Sequence, residues 1–220
     1  DMDSLFDEPR DLPVASRKAP PIPGLHLPSI RLPPELADNV LQQCMDSYFR
    51  DKDVNQVMLF GRTTSETTGS MGSGLPPFLI SLLYALRDLL HPVVPHDLHT
   101  LLFPPPDVPS RARQAIINLY NSGEGITPHV DLLRRFDDGI MGVSLGRKGS
   151  PDHYGLFLPQ DSLVILSGDA RYKWTHGIKR DLEDLVESED GQEAPEWVKR
   201  GTRLSITFRW LLPGADIVGG

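Results

Sequence analysis

Residues 116–131 read Ile116-Ile117-Asn118-Leu119-Tyr120-Asn121-Ser122-Gly123-Glu124-Gly125-Ile126-Thr127-Pro128-His129-Val130-Asp131. An apolar run gives way to a glycine-bearing turn, and a second extended run ends on an imidazole and a carboxylate two residues apart. On a strand, side chains at i and i+2 share a face. His129 and Asp131 therefore present their heads to one point, and Asn118 and Tyr120 share a face on the preceding strand. Gly123, Gly125 and Pro128 read as turn formers that aim these groups.

A third donor is needed to hold a metal ion on one side. His176, in Trp174-Thr175-His176-Gly177, supplies it; His26 and His153 are the competing histidines. Two imidazoles and one carboxylate with open positions is the donor set associated with non-haem Fe(II) oxygenases. Further along, Arg203-Leu204-Ser205-Ile206-Thr207-Phe208-Arg209 alternates polar and apolar residues, the pattern of a half-buried strand. Arg203, Ser205, Thr207 and Arg209 fall on one face, and Leu204, Ile206 and Phe208 on the other. Two guanidiniums on one strand face are costly to bury unless anions meet them, and a dicarboxylate co-substrate would do so by planar bidentate pairing.

Taken in order, Asn118-x-Tyr120, His129-x-Asp131, His176 and Arg203-x5-Arg209 resemble the AlkB family of Fe(II)- and 2-oxoglutarate-dependent dioxygenases, over roughly residues 110–212. The stretch Ser167–Trp174 also resembles the family segment leading to its second histidine. The resemblance implies a double-stranded β-helix, or jelly roll, mainly β with flanking N-terminal helices. It implies Fe(II), 2-oxoglutarate and O₂ as cofactor and co-substrates, with His129, Asp131 and His176 as the metal ligands. Arg203 would grip the distal carboxylate of 2-oxoglutarate, and Asn118 and Tyr120 would complete that pocket. Arg209 would meet the proximal carboxylate or an acid near the metal. The implied activity is oxidative demethylation of N-methylated nucleobases in DNA or RNA, with release of formaldehyde, succinate and CO₂. Arg134, Phe136, Tyr172 and Trp174 are candidate substrate contacts, the aromatic rings by stacking on a flipped base. Asp137 and Asp138 are candidates for contact with a substrate amine. Two rivals stand beside this expectation: the same chemistry used to hydroxylate a modified tRNA base or a protein side chain, and a non-catalytic jelly roll that binds an acidic partner.

Two departures from the family pattern stand out. Between Leu145 and His153 the chain is short, so one jelly-roll strand is expected to be missing or contributed differently. Between His176 and Arg203 it is long, filled by the acidic run Asp181–Glu196, which reads as a disordered or helical excursion.

Composition sets the outer bounds. The 220 residues suit one domain of ordinary size, and 39% hydrophobic with 24% charged residues is normal for a globular chain. No apolar run is long enough to span a membrane, and the acidic, proline-bearing N-terminal stretch does not read as a signal peptide. A lone cysteine, Cys44, excludes an internal disulfide and suits a reducing compartment, so an intracellular site, nucleus and/or cytoplasm, is expected. The net charge of −8 argues against an overall nucleic-acid footprint. Basic pairs at Arg111/Arg113, Arg134/Arg135, Arg147/Lys148, Arg171/Lys173 and Lys179/Arg180 nevertheless flank the metal ligands in sequence and suggest a local positive rim.

Four regions follow. Residues 1–34 form a proline-rich acidic arm, with a short edge strand expected over 25–30. Residues 35–110 form a helical and substrate-lid extension, with helices expected over 35–49 and 77–91. Of these, Phe78, Leu82, Leu86, Leu89 and Leu90 face inward. A Ser/Thr/Gly-rich mobile loop over 61–74 and a proline-bearing loop over 92–110 complete this region. Residues 111–213 form the jelly-roll core, with strands expected over 115–120, 127–131, 140–145, 154–158, 162–166, 172–178 and 204–211. Residues 214–220 are a tail.

Overall fold

Alternation along the last strand sorts the molecule into two sides. The computed structural model describes residues 14–50, 53–61, 74–108, 111–146 and 154–215. Along them run β1 (Leu25–His26), α1 (Pro34–Cys44) continuing into a wide π turn (Met45–Phe49), β2 (Gln56–Gly61), α2 (Pro77–Leu90) and α3 (His96–Leu102). Then come β3 (Arg113–Tyr120), β4 (Ile126–His129), β5 (Ile140–Gly146), β6 (Ser162–Leu166) and the short α4 (Gly168–Tyr172). The chain closes with β7 (His176–Ile178), β8 (Glu183–Val186), β9 (Glu196–Lys199) and β10 (Arg203–Trp210).

Six strands form the major sheet in the order β1-β6-β5-β10-β3-β2, and every neighbouring pair is antiparallel. Strands β4 and β7 form a second, two-stranded sheet, and β8 and β9 a hairpin. The expected mainly-β jelly roll with N-terminal helices is what the chain adopts. On one face of the major sheet, Leu204, Ile206 and Phe208 of β10 join Ala115 and Ile117 of β3 and Met141 of β5 in the main core. Helices α1 and α2 cover that face. The other face carries the polar residues of β10 and looks into a cavity shared with β4 and β7.

Both long helices begin on a proline, Pro34 and Pro77, where the missing N–H has no intrahelical partner to lose. The buried side of α2 is Leu79, Leu82, Leu83, Leu86 and Leu90, with Phe78 and Leu89 only partly covered. In the first helix, the π turn admits one extra residue, so the inward position after Cys44 falls on Phe49 and Tyr48 is only partly buried.

Several elements differ from expectation. Residues 92–110 hold the helix α3, because Pro95 and Pro104 stand just outside its ends and interrupt no internal bond. Residues 154–158 form no strand, only an isolated bridge from Leu156 to Ser16. The expected strand over 172–178 is shortened to His176–Ile178, since α4 occupies the residues before it. The acidic run is neither disordered nor helical: it holds β8 and most of the turn to β9, registered so that Glu183 faces Lys199. Arg200, itself buried, meets Asp184 at 2.6 and 3.0 Å and offsets that buried carboxylate. The acidic arm over 1–13, the loop residues 62–73 and the short connection 147–153, with His153, lie outside the described residues. Gly24 has φ +84° and sits where any Cβ would fall 1.9 Å from the Ser167 carbonyl oxygen, which fixes how the arm enters the sheet edge.

Leu82 is fully buried between α2 and the sheet, so Leu82→Ala is expected to cost about 2–5 kcal/mol. Tyr84→Ala, on the outer side of the same helix, should stay within about 0.5 kcal/mol. Denaturant unfolding of both variants checks the difference.

Candidate active site

Three donors converge where β4 meets β7. His129 and His176 are register partners across that pair, with ring centroids 4.6 Å apart. Asp131 lies just past the end of β4, and the nearest donor atoms of His129, Asp131 and His176 all fall within 4.8 Å of one another. Among the described residues no other group of histidine, cysteine or carboxylate donors is placed to hold a metal.

The pairing that brings the histidines together depends on missing side chains. A Cβ at Gly177 would lie 2.8 Å from the Pro128 nitrogen and 2.9 Å from the Ile126 oxygen, and one at Gly125 would lie 2.1 Å from the Ile178 oxygen. Both glycines let the two short strands close against each other. Gly123, with φ +84°, makes the turn that leads into β4.

Each donor is held from behind. His129 Nδ1 lies 2.9 Å from the Thr127 carbonyl oxygen; as an N–H donor there, it leaves Nε2 with a free lone pair. Asp131 is only 3% exposed, and its Oδ1 is ion-paired with Arg209 Nη1. Its Oδ2 is 3.4 Å from His176 Nε2. One carboxylate oxygen is thus tied down while the other faces the histidines. Burial holds both imidazoles below the ordinary histidine value; for His176 the Arg171 charge acts in the same direction, and for His129 the Thr127 contact partly opposes it. The neutral ring is the metal-binding form, and it prevails at neutral pH. Two neutral imidazoles, one oriented carboxylate and a cavity in front of them fit a divalent metal ion with open positions.

The cavity measures about 520 Å³. Arg203, Ser205, Thr207 and Arg209 all line it, as the alternation of β10 requires, together with Asn118 and Tyr120 from β3. Arg203 donates from Nε to Ser144 Oγ at 3.0 Å, and burial lowers its basicity. No carboxylate pairs with Arg203 among the described residues. Arg209 donates from Nε to Gln114 Oε1 at 3.0 Å and lies 4.0 Å over the Phe136 ring; burial brings it down to about 10, still cationic at neutral pH. Asn118 Oδ1 accepts from Gln56 Nε2 at 2.7 Å. A buried guanidinium with hydroxyl and amide groups around it fits a small carboxylate ligand.

Other expectations change in three dimensions. Phe136 is 4% exposed beneath Arg209 and packs with Ala112 and Leu211, so it cannot stack on a substrate. Tyr172 is exposed against the Arg171 guanidinium, outside the cavity lining, and Arg134 is also exposed outside it. Trp174 does line the cavity, with Tyr154 beside it at 5.8 Å between centroids. Asp137 is ion-paired with Arg111, and Asp138 accepts from Gly139 N and Gly168 N, so neither carboxylate faces a substrate amine. Only part of the basic rim survives. Arg113 is buried against Trp210 and Arg171 is 1% exposed, whereas Lys179 and Arg180 line the cavity.

Arg171 has a role that sequence pairing with Lys173 concealed. It donates to the carbonyl oxygens of Asp131 (3.0 Å), Phe136 (2.9 Å) and Asp137 (3.3 Å), and so shapes the turn that follows Asp131. The sequence reading passed over Gln114, although it stands two and four residues before Ile116 and Asn118 on the same strand face. Ser144 was not, because its contact depends on the β5–β10 register that sets it opposite Ser205.

Residues 60–209 match the profile of the 2OG-Fe(II) oxygenase superfamily, and the chain belongs to that family. Within it, the likeness is to AlkB-type proteins, and the family's Fe(II), 2-oxoglutarate and O₂ accord with the donor set. The tRNA (carboxymethyluridine(34)-5-O)-methyltransferase alkbh8 of Xenopus tropicalis is 39% identical over 112 residues, which is 44% of this chain and 18% of that protein. The alkylated DNA repair protein ALKBH8 homolog of Arabidopsis thaliana is 31% identical over 122 residues, 44% of this chain and 33% of that one. This chain therefore spans well under half the length of these relatives. Among solved structures, OsALKBH1 superposes with a TM-score of 0.47 at 18% identity, covering 85% of this chain and 98% of that one.

Two substitutions test the geometry. Gly177→Ala forces β7 away from β4, and metal affinity measured by titration calorimetry should fall about 10–100-fold, the range for loss of a ligand-orienting contact. Arg209→Ala leaves the Asp131 charge buried without its partner, and thermal and denaturant unfolding should register a loss of about 3–5 kcal/mol.

Proposed function

We propose that this chain oxidatively demethylates N-methylated nucleobases in DNA or RNA. The observation that carries the reading is the placement of His129, Asp131 and His176 in a cavity that also holds the buried Arg209, the half-buried Arg203 and an aromatic pair. In this reading the three donors hold Fe(II), and Arg203 binds the distal carboxylate of 2-oxoglutarate with help from Asn118 and Tyr120. With the metal bound, 2-oxoglutarate and O₂ supply the oxidising power to hydroxylate a methyl C–H bond, giving succinate and CO₂. The N–CH₂OH product then loses formaldehyde, and the nitrogen keeps a proton.

The chain's own residues supply position. Thr127 sets the ring of His129 through Nδ1, and Arg209 turns one oxygen of Asp131 away from the metal position. Ser144 fixes the direction of the Arg203 guanidinium, so that its remaining N–H groups face the co-substrate. Trp174 and Tyr154 give a flat substrate ring an apolar face, while Lys179 and Arg180 provide cations for a nearby phosphate. The chain as a whole carries a net charge of −8, and Lys179 and Arg180 are cations that line this cavity.

A second reading draws on the tRNA activity in the name of the Xenopus relative. Here the same site hydroxylates a modified tRNA base and the product keeps its oxygen. Mass spectrometry of N-methylated DNA, N-methylated RNA and modified tRNA fragments, incubated with the Fe(II)-loaded protein and 2-oxoglutarate, decides between them. Demethylation appears as loss of one methylene mass, and hydroxylation as gain of one oxygen; either should vanish in His176→Ala. Succinate formation with no change in any member of the panel would discard a nucleic-acid substrate.

A further inference from the structure

One wall of the cavity comes from a part of the chain that precedes the family-matched residues. Pro20, Ile22 and Leu25 line it, whereas the family match begins at residue 60. These residues belong to a stretch tied down at both ends. At the first end, Ala15 and Ser16 form parallel bridges to Val186 and Leu156, and so fit between the hairpin strand β8 and the segment that follows the short 147–153 connection. Ala15 N donates to the Leu185 oxygen (2.8 Å) and Ser16 N to the Gly155 oxygen (2.7 Å). Phe157 N and Glu187 N donate back, to the oxygens of Ser16 (2.7 Å) and Ala15 (3.0 Å). Ala15 is fully buried among Phe157, Val186 and Val198. Over these two residues the N-terminal arm thus pairs with both segments.

Arg17 locks this end. Its Nε donates to the Glu187 carbonyl oxygen at 2.7 Å, its Nη2 reaches Glu196 at 3.0 Å, and its guanidinium lies 4.4 Å over the Phe157 ring. Ser16 Oγ adds a contact to Glu187 Oε2 at 2.9 Å. At the second end, Ser167 N donates to the Gly24 oxygen and Ala170 N to the Pro23 oxygen, both at 2.9 Å, and β1 pairs with β6. The intervening residues have no such ladder. Two of them, Pro20 and Ile22, face the same cavity as Tyr154 and Trp174.

We propose that residues 18–22 are a strap forming the substrate wall of the cavity, with Pro20 and Ile22 as specificity-determining residues and Arg17 as the positioning residue that holds them there. This deepens the substrate reading above and rests on it for the class of ligand, a flat, weakly polar ring. Pro20 has a locked φ and Ile22 a stiff branched side chain, so the wall is a poorly yielding apolar surface beside the aromatic pair. A ring enters edge-on between such surfaces, and a bulkier or strongly hydrated group is turned away. The charge of Arg17 never meets the substrate; its effect is transmitted through the path of the strap.

The test has two arms, both on the full chain. In a Trp197→Phe background, which removes the exposed indole of β9, acrylamide quenching of fluorescence reports mainly on Trp174, because Trp210 is buried. Arg17→Ala should raise the quenching constant about twofold as the wall opens, Arg17→Lys should recover part of that rise, and Ile22→Ala, which leaves both anchors in place, should raise it as well. In the second arm, Arg17→Ala should raise KM for the accepted member of the oligonucleotide panel about tenfold while kcat changes little, the signature of lost uniform binding. Unchanged quenching in both Arg17→Ala and Ile22→Ala overturns the strap. So does increased quenching with unchanged KM, which makes the segment a structural cover only. If the wild-type protein accepts no member of the panel, the nucleobase reading fails and the quenching arm still decides whether the strap walls the cavity.

Discussion

Strand β10 runs through the middle of the major sheet with β5 on one side and β3 on the other, so both its edges are paired. One face is hydrocarbon and sits in the core with the helices. The other carries two guanidiniums into a cavity, where burial lowers the basicity of both. A cation out of water needs an anion or a dense set of acceptors. Arg209 finds its anion in Asp131, and that pair links the central strand to the turn beyond β4. The metal-binding geometry depends on this link, because it decides which oxygen of Asp131 is left for the cavity.

The donors themselves stand on slight elements. A two-stranded sheet as short as β4–β7 has little stability of its own. It is held by close backbone approach at Gly125 and Gly177, and by Arg171, whose buried guanidinium gathers the carbonyl oxygens of residues 131, 136 and 137. Phe136, buried under Arg209, belongs to the same support. The donors are therefore oriented in part by Gly125, Arg171 and Phe136, which stand outside the cavity lining, and in part by Thr127, Gly177 and Arg209, which belong to it.

The cavity wall divides along the chain. Arginines, amide and phenol come from the central strands, the metal donors from the small sheet, and the apolar and aromatic rim from residues 20–25, 154–158 and 174. The acidic stretch after the second histidine is a β-hairpin anchored by the Arg200–Asp184 pair, and it gives the N-terminal arm a strand to join. Four of its acids pair with Arg17 and Arg200, while Lys179 and Arg180 line the cavity as a cationic spot.

By itself the sequence determined a many-stranded β class, which the family resemblance narrowed to a jelly roll, the helices beginning at Pro34 and Pro77, the two-faced character of β10, and the candidate donor set His129, Asp131 and His176. These are local or periodic properties: i and i+2 share a face, a proline sits at a helix start, and a polar residue recurs at every second position only where its face is special. Tertiary structure alone decided the rest. Phe136 and Tyr172 look alike as candidate rings, yet one is buried under a guanidinium and the other lies outside the cavity, because burial depends on what packs from distant parts of the chain. Arg171 reads as rim charge until the carbonyls around it are known. The N-terminal arm reads as a loose extension, and only long-range backbone pairing with residues 155–157 and 185–187 turns it into a wall of the cavity. Hydrogen bonds between segments separated by well over a hundred residues leave no period in sequence, and that is why they become visible only in the fold.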